Sequence, residues 1–246
     1  MTTQLFIRHY KDSDVEADNI IKAQKTAKDC LEFLKTYLRC GMTYEEIHEA
    51  CRERMLEKGA EGFWTHDDPA LILYGDMSRY SAHEAPDMKD RTVGENDLIT
   101  VDVAPVVGKG WGDMARSYVM EDGKLISYSE SRNKEIREGL NFELYLHEQF
   151  MSFVNKDTTF SMLHSFIDKI LTDNGYVNLD YHGNFGHTIE KDPKDRVTII
   201  GDCDIKISEY DKPITFEPHI GKLNGRFGFK HENMYFFHEG RIMEVL

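Results

Sequence analysis

The feature that most constrains the fold is an order of elements that occurs twice along the 246 residues. Apolar residues at helical spacing predict a helix over about 15–39, and a second helix begins at Thr43 and ends at Lys58-Gly59. Strand-like segments separated by Gly, Asp and Pro follow. Two helices and several strands then return from about residue 133, with no Pro/Gly/Ser-rich linker between the halves. The repeat predicts one α+β domain over residues 1–246 with an internal pseudo-twofold repeat.

Local start and stop signals refine this prediction. Thr43 and Glu46 have the spacing of a capping box at a helix N-terminus. In the second half we expect a helix over about 133–154 and another that begins at Thr158–Ser161 and stops at Asn174-Gly175. The strand-like runs are LILYG, DLITVDVAPVV and SYVM in the first half, then RVTII, PITFEP, GRFGF, NMYFF and RIMEVL in the second.

Two aspartates lie near each other in a strand-rich region. Asp102 lies in the run DLITVDV, and Asp113 follows after a Gly-rich turn. A hairpin would bring them together, because paired strands lie about 5 Å apart. Asp is disfavoured within strands, and adjacent carboxylates repel unless a proton or a cation lies between them. The pair is therefore a candidate cation site, with an ordinary turn or edge position as the alternative.

Three further residues have side chains suited to binding a metal ion. They are His187 in NFGHTIE, Glu217 in PITFEPH and Glu232 in GFKHENMYFF. Each is unremarkable alone, since a lone histidine in a strand usually packs in the core and a lone glutamate is usually solvated. With the two aspartates they make four carboxylates and one imidazole. That set suits a pair of divalent ions such as Mn, Co, Fe or Zn.

The composition excludes several classes of partner. Lys and Arg number 30 against 44 Asp and Glu, which gives a formal charge of -14 and disfavours nucleic acid or an anionic membrane as a partner. No apolar run has the length of a signal peptide or a membrane span, so we expect a cytoplasmic protein. The four cysteines lack C-x-x-C spacing and are expected to be free thiols. The oligomeric state stays open, with a homodimer as one option.

The order of these motifs resembles a known family. Gly-Asp-x-x-Arg-Ser-Tyr, Gly-His-x-Ile, Phe-Glu-Pro and a glutamate near the C-terminus follow one another as in the pita-bread metallopeptidases. These include methionine aminopeptidase, aminopeptidase P, prolidase and creatinase. The resemblance covers nearly the whole chain but not the separate N-terminal domain of many relatives. It implies a catalytic domain with the pita-bread fold, in which helices flank a curved antiparallel sheet.

The resemblance also assigns a role to each metal-binding candidate. It implies that Asp102 binds one ion through both oxygens and that Asp113 bridges the two ions. His187 and Glu217 would bind the second ion, and Glu232 would also bridge. All five positions carry the residue type that the family has there.

Residues around the substrate are less regular. His83, in SRYSAHEAP, resembles the histidine that the family places beside the scissile bond, and His66 is a second candidate; a loop histidine without a partner is the alternative. The family's second active-site histidine is missing, because its position falls on Lys194. Lys194 could replace it as a cationic donor, or His182 or His219 could enter from another strand. His219 is itself unusual, since glycine normally follows the family's Glu-Pro.

The resemblance implies a dinuclear-metal aminopeptidase that hydrolyses the N-terminal bond of a short peptide, of Xaa-Pro or Met-Xaa type. A hydroxide between the ions would attack the carbonyl, Glu217 would move the proton and His83 would stabilise the oxyanion. A creatinase-like hydrolase of another small C-N substrate is the first alternative, favoured by the changes at Lys194 and His219. A non-catalytic pita-bread binding module is the second, disfavoured because all five ligand types are retained.

Overall fold

The computed structural model describes residues 2–9, 14–64, 68–81, 88, 91–190 and 192–246. Within these ranges the helices are α1 (Thr2–His9), α2 (Asp14–Tyr37), α3 (Tyr44–Glu57), α4 (Lys134–Phe153) and α5 (Phe160–Asp173). The four helices expected from the sequence are confirmed to within about two residues at each end, while α1 was not anticipated. None of the helices in these ranges has the combination of length and apolar character that crossing a membrane requires.

In the part of the chain that the structure describes, the strands pair in antiparallel fashion and form four small sheets. In the first half the strands are β1 (Gly62–Phe63), β2 (Leu71–Tyr74), β3 (Asp97–Val103), β4 (Pro105–Val107), β5 (Gly110–Trp111), β6 (Met114–Glu121) and β7 (Lys124–Ile126). In the second half they are β8 (Tyr176–Asn178), β9 (Ile214–Phe216), β10 (His219–Lys222), β11 (Gly228–Lys230), β12 (Asn233–His238) and β13 (Arg241–Glu244). The sheet orders are β2-β3-β6-β7, β1-β4-β5, β11-β10-β8 and β13-β12-β9. Each half therefore combines two long helices with antiparallel sheets, as the repeat predicted.

Local capping explains why the helix starts could be predicted. The Thr43 hydroxyl accepts a hydrogen bond from the Glu46 amide at 3.1 Å, and the Glu46 carboxylate accepts one from the Thr43 amide at 2.8 Å. This reciprocal pair is the expected capping box. At α5 the Thr159 hydroxyl accepts from the Met162 amide at 3.1 Å. Both caps satisfy amides that would otherwise lack an acceptor at the first helical turn.

Two large apolar clusters flank the region between the halves. One contains α2, α3 and the sheet around β3, with Leu31, Leu34 and Val101 fully buried. In the other cluster, α4 and α5 pack against the strands of the second half, and the rings of Phe150 and Phe216 are stacked with their centroids 4.3 Å apart. Burial of apolar surface in both clusters is the main stabilising contribution to the fold.

One predicted strand was wrong. The run RVTII, residues 196–200, makes a single isolated bridge between Thr198 and His187 and no regular strand. Its backbone still bonds to residues 185–188, since the Thr188 amide donates to the Val197 carbonyl at 2.9 Å. The run has high β-propensity, but propensity does not create a ladder where the partner segment is itself irregular.

Candidate metal centre

Asp102 and Asp113 come from adjacent antiparallel strands. Asp102 lies on β3 opposite Ala115 of β6, and Asp113 immediately precedes β6. The two strands are not joined by the expected short hairpin, because β4 and β5 lie between them in the chain. Gln24 of α2 fixes the backbone of Asp113 from the other side: its amide oxygen accepts from the Asp113 amide at 2.9 Å, and its amide nitrogen donates to the Asp113 carbonyl at 3.1 Å.

His187 and Glu217 come from two paired segments of the second half. The His187 amide donates to the Thr215 hydroxyl at 3.0 Å, and the Thr215 amide donates to the His187 carbonyl at 2.7 Å. The Glu217 amide, just beyond the end of β9, donates to the Phe185 carbonyl at 2.9 Å. These backbone bonds place the imidazole and the carboxylate side by side.

Glu232 joins the two halves of the chain. It lies in the break between β11 and β12, and its amide donates to the Ala115 carbonyl at 3.1 Å. The Arg116 guanidinium donates to the Glu232 carbonyl at 2.6 Å and to the Asn233 side-chain oxygen at 2.6 Å. Glu232 is therefore held against β6, the strand that begins directly after Asp113.

The five side chains meet in one pocket. Oxygens of Asp102, Asp113 and Glu232 all lie within 4.8 Å of one another. The His187 Nε2 atom lies 3.6 Å from Asp113 Oδ2 and 3.4 Å from Glu217 Oε1. Residues separated by more than a hundred positions in the chain thus converge. Residues at ordinary turn or surface positions would not be expected to lie together in this way.

Lys230 is a member of the pocket that the sequence prediction missed. Its ammonium nitrogen lies 2.5 Å from Asp102 Oδ2, 2.8 Å from Glu217 Oε2 and 3.7 Å from Glu232 Oε2. The available signal was its position two residues before Glu232, because alternate residues of a strand point to one face. A lone lysine is usually solvated, so that signal was weak.

Burial and charge set the ionisation of the carboxylates. Burial, followed by repulsion from Asp102 and Glu217, raises the pKa of Asp113 well above its usual range. The pKa of Glu232 is also raised well above its usual range, mainly by burial and then by repulsion from Asp113 and Glu217. Burial is the largest influence on Glu217 and opposes its ionisation, but Lys230, His187 and Arg196 together outweigh burial and lower the pKa of Glu217. One ammonium group cannot offset four carboxylates, so the pocket favours further protons or cations.

Glu232 provides the clearest sign that the pocket suits metal ions. Both of its carboxylate oxygens are buried and, within the described residues, neither has a hydrogen-bond partner. Buried carboxylate oxygens without donors are costly, and a divalent ion is the partner that oxygen ligands of this kind accept. The carboxylates and the imidazole therefore fit the ions that the sequence suggested.

Two stacked tryptophans lie beside His187. The rings of Trp64 and Trp111 are stacked, with centroids 4.4 Å apart and an interplanar angle of 8°. The His187 ring lies 5.9 Å from Trp64 and 5.8 Å from Trp111. The sequence prediction did not include either residue, since a single tryptophan is more often part of a core.

The predicted substrate residues have different outcomes. His66 and His83 lie outside the described residues. His219 is buried, and its Nε2 atom donates to the Ser78 carbonyl at 2.7 Å. Lys194 is exposed on a short 3-10 turn, and none of the ion pairs found in the described ranges joins it to the pocket.

Comparison with known proteins identifies a family and a fold. The model of metallopeptidase family M24 matches residues 18–239. No curated protein matches the sequence. The structure is similar to an X-Pro aminopeptidase from Thermotoga maritima, with a TM-score of 0.79, 19% identity, and coverage of 98% of this chain and 64% of that one.

Two other solved structures are similar to this one in fold. A prolidase from Pyrococcus furiosus matches with a TM-score of 0.77 and 18% identity over 97% of this chain and 65% of that one. A methionine aminopeptidase from Thermotoga maritima matches with a TM-score of 0.73 and 13% identity over 94% of this chain and 96% of that one. The chain thus spans just under two thirds of the first two relatives and nearly all of the third. The pita-bread fold is confirmed.

Proposed function

Because the chain belongs to metallopeptidase family M24, we propose that it is a dinuclear-metal-dependent aminopeptidase acting on the N-terminal bond of a short peptide. The peptide would be of Xaa-Pro or Met-Xaa type, and residues 1–246 would act as one catalytic domain. The convergence of four carboxylates and one imidazole around Glu232, whose oxygens accept no hydrogen bond from the described residues, carries this proposal. A cytoplasmic location and a homodimer stay predictions.

Two divalent ions, of Mn, Co, Fe or Zn, would be held by the five converging side chains. They are Asp102, Asp113, His187, Glu217 and Glu232. When bound, the ions would make a water more acidic and polarise the substrate carbonyl.

Side chains of the protein would bind the substrate and transfer the proton that the reaction requires. Glu217 is suited to accept a proton and return it to the leaving nitrogen, because Lys230 favours its ionised form. His83 is proposed to donate to the oxyanion, and His66 and Lys194 to contact substrate. His219 is also proposed to contact substrate, and its bond to the Ser78 carbonyl would fix the orientation of its imidazole.

A creatinase-like hydrolase of a non-peptide C-N bond remains the second candidate. The observation that favours it is the exposed Lys194 at the position where the family has a second active-site histidine. A non-catalytic binding module would have no need for buried carboxylates without donors, so the geometry supports it less.

Metal content and turnover together test the proposal. Elemental analysis of the wild type is expected to give two ions per chain, and Asp113→Ala should lose both ions and all turnover of Met-Ala and Ala-Pro. His83→Ala should keep the ions while the rate falls roughly 10²-fold. Asp173→Ala, at an exposed ion pair on α5, is the matched control and should resemble the wild type. Full metal content in Asp113→Ala would contradict the ligand assignment, and turnover of creatine alone would favour the second candidate.

A further inference from the structure

Gln24 is a polar residue on the buried face of α2. The residues three, four and seven positions away share this face, and they are the buried apolar Ala27, Ile20 and Leu31. Gln24 itself is only 1% exposed. A buried amide is costly unless its donor and its acceptor are both used. The position therefore requires partners on the segment that packs against α2.

The segment that leads into Asp113 packs directly on this face of α2. A Cβ atom added to Gly112 would lie 2.6 Å from the Gln24 amide nitrogen, and one added to Gly110 would collide with the Ile20 amide nitrogen. Both contacts are with helix backbone, which cannot move aside as a flexible side chain can. Glycine at both positions therefore lets the backbone of 110–113 lie against α2 with no side chain between them.

The Gln24 side chain uses both of its polar groups on Asp113. Its oxygen accepts from the Asp113 amide at 2.9 Å, and its nitrogen donates to the Asp113 carbonyl at 3.1 Å. A neighbouring antiparallel strand bonds a residue in the same two-bond pattern, but here one side chain supplies it from 89 positions earlier in the chain. The two bonds hold the backbone of Asp113, while its carboxylate faces the pocket with Oδ2 3.6 Å from His187 Nε2.

We propose that Gln24 is a positioning residue for both metal ions, because it sets the place of Asp113, the ligand proposed to bridge them. The inference rests on the proposed function and adds a residue of α2, outside the five ligands, on which metal affinity depends. A bridging carboxylate contacts two ions at once, so a displacement of its backbone changes both contacts. Residues that hold a metal ligand in place typically contribute roughly 10- to 100-fold to metal affinity.

Gln24→Met tests the inference, because methionine has a similar length and volume but cannot replace the two amide bonds. Titration calorimetry with Mn is expected to show both ions bound roughly 10- to 100-fold more weakly than by the wild type. Hydrogen exchange should become faster at the Asp113 amide, which loses its acceptor. In the Mn-loaded variant, electron paramagnetic resonance should show weaker magnetic coupling between the ions, since the coupling depends on the bridging ligand.

Thr26→Val is the matched control on the same helix. The Thr26 hydroxyl is also buried, and it donates to the Lys58 carbonyl at 3.3 Å, which is not part of any proposed ligand. Both Gln24→Met and Thr26→Val should unfold at lower urea concentration in EDTA, because each loses a buried hydrogen bond. Only Gln24→Met should bind Mn more weakly, since a loss of fold stability alone leaves the affinity of the folded protein unchanged.

Gln24→Asn provides a second variant, because its amide is one methylene shorter and loses both bonds to Asp113; it should also bind Mn more weakly. Wild-type affinity in either folded variant, weakening of one ion alone, or an equal loss in Thr26→Val would overturn the inference. Failure of both Gln24 variants to fold, with Thr26→Val folded, would also overturn it by assigning Gln24 to the fold itself.

The wild type separates this failure from failure of the proposed function. A wild type that binds two Mn ions and hydrolyses Met-Ala, beside a Gln24→Met variant of equal affinity, would remove the role of Gln24 and leave the peptidase intact. A wild type that binds no Mn would contradict both proposals.

Discussion

Lys230 offsets part of the negative charge that Asp102, Glu217 and Glu232 bring into one pocket. Its contacts of 2.5 and 2.8 Å are those of charge-assisted hydrogen bonds. Burial works against an ammonium ion, but the surrounding carboxylates dominate and raise the pKa of Lys230 well above its usual range. Lys230 is therefore a cation supplied by the chain to a pocket that also fits metal ions.

Lys230→Met should destabilise the metal-free protein by about 3 kcal/mol, because breaking a buried ion pair leaves uncompensated carboxylates. Mn should restore most of this loss, since the ions supply the missing positive charge. Urea unfolding in EDTA and in Mn would measure both effects.

Lys212→Met provides the control for Lys230→Met. Lys212 also pairs with a largely buried carboxylate, at 2.5 Å from Glu190 Oε2, but none of the five proposed ligands is in that pair. Mn should therefore rescue Lys230→Met and leave the loss in Lys212→Met unchanged. Equal unfolding free energies for Lys230→Met and the wild type in EDTA would contradict the role given to Lys230.

The residues of the candidate site differ in how far the sequence could predict them. Asp102 could be found because an aspartate in a strand-rich run is unusual, and Glu232 because its place in the order of motifs matches a family. The contribution of Lys230 could not, because its side chain reaches Asp102 only after β11 has packed against β6. The stacked pair of Trp64 and Trp111 beside His187 was missed for a similar reason, since the two residues are far apart in the chain and meet only in the folded protein.

Helix α4 packs closely against the hairpin that carries Lys230. Gly139 of α4 is the contact point, and a Cβ atom added there would collide with the ring of Phe229. Phe229 is fully buried and adjacent to Lys230 in β11. A glycine within a helix normally costs stability, so its presence here is explained by this close approach.

Gly139→Ala should therefore destabilise the protein by about 1 to 2 kcal/mol, because overpacking of up to about 3 kcal/mol outweighs the gain of about 1 kcal/mol in helix propensity. Urea denaturation would measure the change. Asn141→Ala, at an exposed position of the same helix, should change stability by less than about 0.5 kcal/mol. A more stable Gly139→Ala variant would show that the hairpin is not held by this contact.

Elements that depend on local signals could be predicted, and elements that depend on partners could not. The start of α3 follows from the capping box of Thr43 and Glu46, which lies within four consecutive residues. The run at 196–200 lacks a regular partner, so its β-branched residues did not make a strand. The excursion through β4 and β5 was not separated from β3 in the prediction, because both strands are only two or three residues long and β4 pairs with the distant β1.

The two halves of the molecule meet where β6 faces the segment 230–233. The Ser117 hydroxyl donates to the Lys230 carbonyl at 3.1 Å, and behind this contact lies the buried His147 of α4. The His147 Nε2 atom donates to the His231 carbonyl at 2.9 Å, so its Nδ1 atom accepts from the Tyr235 hydroxyl at 2.6 Å. Burial favours the neutral imidazole, and its two bonds connect α4 to residues on both sides of Glu232.

Stability of the whole molecule should consequently depend on pH through His147. Burial lowers the pKa of His147 to about 3, whereas an unfolded histidine has a pKa of about 6.5. The unfolded state binds the proton first, so the stability that neutral His147 contributes is complete above about pH 6.5 and is lost as the pH falls towards 3.

Between pH 7 and 5.5 the wild type should lose about 1 kcal/mol more in free energy of unfolding than His147→Gln. His182→Gln, at an exposed histidine, should match the wild type. Urea unfolding at both pH values in EDTA would measure the difference without metal release, and equal losses in wild type and His147→Gln would show that His147 does not control this dependence.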